Sequence, residues 1–296
     1  MKLSISTTLF AGGSLNENHL ALLPEYGFDT IEFSGPVTMF DLPAAGNVSK
    51  LAGWLKASGV TAASLHLPFY VDKGRETFHY LSLSEPFGPW LLESIDAKVA
   101  WAEAASELGC AYVVEHGPGD EHLATNGTGT IAPPALYEAF TQDQNRALYR
   151  RMFDEFYTRI EDLPLKIAVE NVMTPNSRVE ELAQLASEYP RGTVGINFDI
   201  GHANVFEHPV ESLEACLPYV IGIHAHDNAG DNDSHLHAFD GNIPWDRAMP
   251  VIASAPNLIA LTIEPMYLTA DADMAQFRQN LSTLQERAKR LMEMAK

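Results

Sequence analysis

Ionisable residues stand at or near the ends of most short apolar segments in this sequence. They are Glu32, His66, His116, Glu170, Asp199, His224, His226 and Glu264. Carboxylates gathered at one place repel each other and raise each other's pKa, and a divalent cation relieves that repulsion while accepting neutral imidazoles as further ligands. The pattern therefore indicates a metal site, provided that the fold brings the segment ends together.

Three short motifs concentrate the same residue types. The motifs are D-I-G-H at 199–202, H-A-H-D-N at 224–228 and N-D-S-H at 232–235, and they add His202, Asp233 and His235. Because side chains alternate along a strand, His224 and His226 would lie on one face. All donors are oxygen or nitrogen, so the expected ion is Mn²⁺, Co²⁺, Mg²⁺ or Zn²⁺ rather than a thiolate-bound structural zinc.

The elements that must position these residues alternate between two kinds of segment. Eight short apolar runs, often rich in Val and Ile, are separated by longer segments of helical period. The predicted strands are 3–8, 30–33, 60–66, 111–116, 166–171, 194–199, 220–226 and 259–264. Eight strand–helix units in 296 residues predict an α/β fold, a single (β/α)8 TIM barrel that forms one domain over 1–296. A doubly wound sheet usually has G-x-G-x-x-G in its first turn, and A-G-G-S-L-N-E lacks that pattern.

Two pairs of residues have the spacing of a capping box, in which Ser and Glu satisfy the first amides of a helix. Ser14 and Glu17 precede the first predicted helix, and Ser177 and Glu180 precede the fifth. The spacing predicts that these two helices begin there.

The charge of the chain excludes several classes of partner. Nineteen basic against thirty-nine acidic residues give a net charge of −20, which repels nucleic acid and anionic membranes. A small anionic substrate is not excluded, because a bound metal inverts the local charge. Two cysteines, Cys110 and Cys216, are too few for a disulfide framework. Residues 1–10 have the pattern of a strand rather than of a leader peptide. No apolar stretch reaches the length needed to span a membrane. These features predict a cytoplasmic protein.

The order of motifs resembles the xylose-isomerase-like barrels along essentially the whole chain. The motifs are I-E-F, S-L-H, V-V-E-H-G-P-G, A-V-E-N-V, N-F-D-I-G-H, G-I-H-A-H-D-N, G-D-N-D-S-H-L-H-A-F-D-G-N-I-P-W and L-T-I-E-P. Each motif alone is weak, and the combination of order and spacing is specific. That group includes sugar and sugar-phosphate isomerases and epimerases, inosose dehydratase, and the endonuclease IV branch of apurinic endonucleases.

The resemblance implies one to three divalent ions per chain. Glu170, Asp199, His224 and Glu264 match the four metal ligands of the epimerases. In the endonuclease branch His66 and His116 share Glu170 for a second metal, and His202, Asp233 and His235 form the third site. Because all nine positions are filled, the ligand set does not separate a one-metal epimerase from a three-metal phosphodiesterase.

The function expected first is isomerisation or epimerisation of a small sugar, sugar phosphate or polyol. A proton would move through a metal-stabilised enediolate, with Glu170 and Glu264 as the two acid–base groups. The alternatives are an inosose-dehydratase-type lyase, a trinuclear zinc phosphodiesterase like endonuclease IV, and a catalytically silent sugar-binding barrel. The phosphodiesterase is disfavoured because the loops after the second, third and fourth strands offer only Lys73 and Arg75 to a phosphate backbone.

Four further residues are candidates for contact with the substrate. They are His226, expected beside the ligands rather than as one of them, and Glu32, Asn171 and Trp245. For the last three, ordinary hydrogen bonding or packing is an equal alternative. The expected partner is a small sugar or polyol, and no binding to nucleic acid or membranes is expected. A homo-oligomer of the chain is possible.

Overall fold

The barrel strands carry five of the nine candidate ligands. A computed structural model describes residues 1–10, 15–34, 41–72, 78–81, 83–84, 88–119, 141–264 and 274–296. Its strands are β1 Lys2–Ser6, β2 Thr30–Ser34, β3 Thr61–His66, β4 Tyr70–Asp72, β5 Phe78–Tyr80, β6 Tyr112–His116, β7 Lys166–Glu170, β8 Val194–Asp199, β9 Val220–Ala225 and β10 Ala260–Ile263. Eight of them form a closed parallel barrel in the order β1-β10-β9-β8-β7-β6-β3-β2, and β4 pairs with β5 outside it. The predicted α/β barrel is confirmed.

Helices connect and cover the barrel strands. They are α1 Glu17–Leu22, α2 Asn47–Ser58, α3 Gly88–Glu107, α4 Gln142–Ile160, α5 Val179–Ser187, α6 Ile200–Phe206, α7 Pro209–Cys216, α8 Trp245–Ser254 and α9 Met274–Met294. No helix of the described part of the chain combines the length and apolar content needed to cross a membrane. Cys110 and Cys216 are free and buried, and the cytoplasmic location stays a prediction.

Alternation along each strand separates the core from the site, as β7 shows. Ile167 and Val169 belong to the large apolar core that includes residues of the surrounding helices. Ala168 packs with Tyr112 and Val114 in a second, smaller core. Glu170, two residues further on, therefore points the same way as Ala168, toward the barrel axis, at the carboxyl end of the strand.

The strand ends differ from the prediction in ways that matter for the site. β2 continues through Ser34, which pairs with His66, so Glu32 lies two residues inside the strand instead of closing it. Glu32 therefore sits one layer deeper in the barrel than His66. β9 ends at Ala225 and β10 at Ile263, so His226 and Glu264 are the first residues beyond their strands.

Neither predicted capping box has the expected partners. Helix α1 is capped by Asn16, whose side chain accepts from the amides of Asn18 and His19 at 3.0 and 3.4 Å, and Ser14 lies outside the described residues. Helix α5 begins at Val179 without a side-chain cap. The hydroxyl of Ser177 is buried and donates to the Pro118 carbonyl oxygen at 2.7 Å, so a tertiary contact takes the group that the local spacing assigned to the helix.

Candidate metal centre

Glu170, Asp199, His224 and Glu264 form what we call the carboxylate cluster. His224 Nδ1 lies 3.1 Å from Glu170 Oε1, 3.2 Å from Glu264 Oε2 and 3.7 Å from Asp199 Oδ2. The register of β8 and β9 sets Asp199 directly beside His224. Three carboxylates, at the ends of three strands, thus converge on one imidazole nitrogen, which is the arrangement expected around a cation.

His66 and His116 approach the same glutamate from the other side and form the β3–β6 cluster with it. His66 Nε2 is 3.1 Å and His116 Nε2 is 3.8 Å from Glu170 Oε2. His116 and Glu170 are register partners on β6 and β7. Glu170 therefore offers one oxygen to each cluster, as a carboxylate that bridges two metal positions would.

A third group lies beyond Asp199, and we call it the imidazole cluster. It comprises His202, His226, Asp233 and His235; the ligand atoms of His226, Asp233 and His235 lie within 4.8 Å of one another, and His202 contacts this group through Asp233. Asp233 Oδ2 lies 3.3 Å from His202 Nε2 and 3.0 Å from His235 Nε2, and Asp233 Oδ1 lies 3.6 Å from His226 Nε2. Asp199 Oδ2, 3.1 Å from His226 Nε2, connects this cluster to the carboxylate cluster.

Backbone carbonyl groups orient two of the imidazoles. His66 Nδ1 donates to the Leu67 carbonyl oxygen at 2.9 Å, and His202 Nδ1 donates to the Asn171 carbonyl oxygen at 2.8 Å. A carbonyl oxygen only accepts, so Nδ1 carries a proton, and Nε2 is the ring nitrogen that a metal ion would take. Partners of this kind fix the tautomer and the ring orientation of metal-binding histidines.

Glu32 holds His224 in the same manner, with a carboxylate. Its Oε1 accepts from His224 Nε2 at 2.8 Å, and its Oε2 accepts from the Ser64 hydroxyl at 2.7 Å. Glu32 and His224 are both fully buried. The bond leaves His224 Nδ1 facing the other carboxylates, which makes Glu32 the outer partner of a candidate ligand.

The electrostatics of the metal-free site are those of buried charges that pair with each other. Burial disfavours the imidazolium of His224, but the charges of Glu32, Glu264 and Glu170 outweigh it and raise the pKa of His224 well above its ordinary value. Burial likewise opposes ionisation of Glu170, yet His224 and His66 hold the pKa of Glu170 well below its ordinary value. Protons on the imidazoles therefore occupy the role that a divalent cation would take.

The donor set and its burial fit divalent metal ions. Glu170, Asp199 and His224 are at most 1% exposed, and their ligand atoms lie within 4.8 Å of one another. Asp233 Oδ1 is buried without a hydrogen-bond partner among the described residues. Carboxylate and imidazole atoms that converge in this way are suitable ligands for Mn²⁺, Co²⁺, Mg²⁺ or Zn²⁺.

The remaining predicted substrate residues have partners inside the protein. Asn171 exchanges two hydrogen bonds with the backbone of Asp199, at 2.8 and 2.9 Å. Trp245 is 2% exposed and its Nε1 donates to Asp227 Oδ2 at 2.8 Å. Substrate contact by Glu32, Asn171 and Trp245 stays a prediction, and the internal bonds give each of them a structural role.

Asp227 is the residue that sequence reasoning passed over. Its buried carboxylate accepts from the amides of Phe239 and Ile243 at 2.9 and 3.2 Å, in addition to Trp245. Its backbone exchanges hydrogen bonds with Leu236 at 2.8 and 2.7 Å. These bonds hold the loop that carries Asp233 and His235. The sequence offered one indication of this role, since Asp227 is an acidic residue that follows two positions after the end of β9.

Comparisons with known proteins agree with this architecture. A family model described as xylose isomerase-like TIM barrel matches residues 20–288. The uncharacterized protein MJ1311 of Methanocaldococcus jannaschii is 29% identical over 252 residues, which cover 82% of this chain and 76% of that protein. The crystal structure of a D-tagatose 3-epimerase-like protein has a TM-score of 0.75 at 21% identity, covering 100% of this chain and 98% of the other. The structure of the IOLI protein with a binding zinc atom has a TM-score of 0.69 at 16% identity, covering 100% and 98%.

Proposed function

Because the chain belongs to the family of xylose isomerase-like TIM barrels, we propose that it is a divalent-metal-dependent isomerase or epimerase of a small sugar, sugar phosphate or polyol. The observation that carries the proposal is the position of Glu170 and Glu264, both within 3.2 Å of His224 Nδ1. Two carboxylates beside one metal position are what proton transfer next to a carbonyl requires. A D-tagatose 3-epimerase-like protein of similar fold supports the sugar class.

Each residue of the carboxylate cluster has a distinct part in this proposal. Glu170, Asp199, His224 and Glu264 hold the metal, which when bound polarises a carbonyl oxygen as a Lewis acid. A carboxylate that binds a divalent metal is deprotonated, and the ionised form of Glu170 is the form that accepts a proton. Glu264 returns a proton to the same carbon, and the burial of both groups keeps bulk water away from the exchange.

Solvent exchange tests the proposal directly. The Mn²⁺-loaded protein is incubated in D₂O with a panel of ketohexoses, their phosphates and inososes, and carbon-bound deuterium is followed by NMR. We expect one C–H position next to the carbonyl to exchange, together with appearance of the epimer or isomer. The variant His237→Gln, outside the carboxylate cluster, serves as the control with unchanged exchange. Loss of water from the substrate would move the assignment to a lyase, and binding without any exchange to a silent barrel.

A trinuclear zinc phosphodiesterase is the second candidate. The specific observation in its favour is that all nine predicted ligands lie in three adjoining clusters. The net charge of −20 opposes binding of a phosphate backbone. Three zinc ions per chain, together with cleavage of a duplex that contains an abasic site, would establish this function in place of the first.

A further inference from the structure

A cavity opens at the amino-terminal end of the barrel, away from the metal centre. Its volume is about 600 Å³, which lies within the range of small-molecule sites. Lys166, the first residue of β7, lines the cavity, whereas Glu170 is the last residue of the same strand. Four residues of parallel strand span about 13 Å, so the length of the barrel interior separates this cavity from the carboxylate cluster. The amino-terminal face of such barrels ordinarily serves stability rather than catalysis.

The backbone is shaped to form the floor of this amino-terminal cavity. The register of β8 and β9 shifts between Ile196 and Asn197, which leaves Ile221 as the extra residue of a β-bulge in β9. Ile221 lines the cavity and also packs in the second, smaller core. A Cβ atom on Gly195 would lie 2.8 Å from Ile221 Cγ2 and 2.8 Å from the Tyr219 carbonyl oxygen. Glycine at this position therefore permits the close approach that forms the floor.

The walls of the cavity carry positive charge in a strongly acidic chain. Lys166 and Arg191 line it, and none of its described lining residues is Asp or Glu. Neither cation has an ion-pair partner in the part of the chain that the structure describes, whereas Arg146, Arg150 and Arg159 are each paired with a carboxylate. The net charge of the chain is −20, so acidic partners are abundant elsewhere on the surface. Two unpaired cations in one concave site are suitable for an anion from solution.

Aromatic and apolar side chains line the same cavity. Tyr189 and Tyr219 are partly buried and lie beside Val194 in the lining. Asp154, outside the lining, accepts a hydrogen bond from the Tyr189 hydroxyl at 2.5 Å and so fixes that ring. Tyrosine rings offer flat apolar surface for stacking, and the cations beside them suit a charged group of the same ligand.

We propose that the amino-terminal cavity binds a small phosphorylated molecule with an aromatic ring, with Lys166 and Arg191 at the phosphate and Tyr189 and Tyr219 at the ring. A guanidinium group presents two parallel donors that match the oxygens of a phosphate. Binding at this face is independent of the sugar chemistry, because every measurement below reads binding rather than turnover.

The first experiment compares three probes on the full chain by calorimetry. The probes are AMP, inorganic phosphate and adenosine, and each is titrated into the protein as purified and again after removal of metal with a chelator. We expect AMP to bind at least about 10-fold more tightly than adenosine, because adenosine lacks the charged group. Phosphate should compete with AMP, and AMP binding should persist after chelation.

The second experiment removes the two cations and controls for the change in net charge. The double variant Lys166→Gln with Arg191→Gln is compared with Lys56→Gln with Arg151→Gln, which removes the same two charges from exposed positions on α2 and α4. We expect the first pair to weaken AMP binding by at least about 10-fold, whereas the control pair should match wild type.

A third variant blocks the cavity without changing its charge. Ser187 is an exposed lining residue, and Ser187→Phe should fill the cavity and abolish AMP binding. Thermal unfolding without ligand shows whether each variant folds, and if the double variant does not, Ser187→Phe and the comparison of AMP with adenosine decide. Unchanged AMP binding in a folded cavity variant, equal binding of AMP and adenosine, or loss of AMP binding on chelation would overturn the proposal. So would the absence of AMP and phosphate binding at millimolar concentration.

Discussion

Replacing Glu32 by Gln removes the negative charge that accepts a hydrogen bond from His224 Nε2 while keeping the size of the side chain. The bond is 2.8 Å long and neither group is exposed to solvent. Loss of such an outer partner typically lowers metal affinity by about 10–100-fold, which corresponds to about 1.4–2.8 kcal/mol. We expect a loss of this size for Mn²⁺ at the carboxylate cluster.

The expected loss depends on pH, and its sign follows from the pKa of His224. Glu32 stabilises the metal-bound imidazole, but it also stabilises the imidazolium that competes with the metal, because it helps to raise the pKa of His224. At low pH the variant therefore gains from weaker proton competition, and part of the loss is offset. Titrations with Mn²⁺ should accordingly show a larger defect at about pH 9 than at about pH 6.

Two further variants isolate the mechanism. Ser64→Ala removes the other hydrogen bond to Glu32 but keeps its charge, so its effect on Mn²⁺ affinity should be smaller. In a His224→Ala background, which should itself lower metal occupancy, Glu32→Gln should have a much smaller additional effect, because the hydrogen bond from Glu32 to a candidate ligand is gone. Equal affinities for Glu32→Gln and wild type at both pH values would refute the reasoning, and so would a full loss that persists without His224.

Three other changes have defined outcomes. Glu264→Gln should abolish C–H exchange while thermal unfolding stays near wild type, and wild-type rates would remove Glu264 from proton transfer. Burial disfavours the charged form of His235, but its hydrogen bond with Asp233 raises the pKa of His235 to about 9 in the metal-free protein. This histidine contributes about 3 kcal/mol below about pH 6.5 that is lost as the pH rises toward 9. The free energy of unfolding of the chelated chain, measured with denaturant, should decline over this pH range, and the decline should be smaller in His235→Gln. Equal pH slopes for the variant and the wild type would contradict this assignment. Gly201→Ala should displace the ring of His226, because a Cβ atom would lie 1.9 Å from its Cε1, and should lower the midpoint of thermal unfolding, whereas an unchanged midpoint would count against the close packing.

Local sequence determined the eight strands and most of the residues at their ends. The apolar runs around Ile167 and Ile196 have the period and length of covered strands, and the polar residue that closes each run marks the carboxyl end of a barrel strand. In a closed parallel barrel those ends meet on one face. The gathering of Glu170, Asp199 and His224 could therefore be predicted without coordinates.

Tertiary structure decided which of these polar residues contact one another. Register shifts within β2–β3 and β8–β9 put Glu32 beside Ser64 and Asp199 beside His224, and no local pattern encodes such shifts. The path of the loop held by Asp227 brings Asp233 up to His226. Period and end position are properties of a few neighbouring residues, whereas distances across the barrel depend on the register of all eight strands and on loops anchored far away in the sequence.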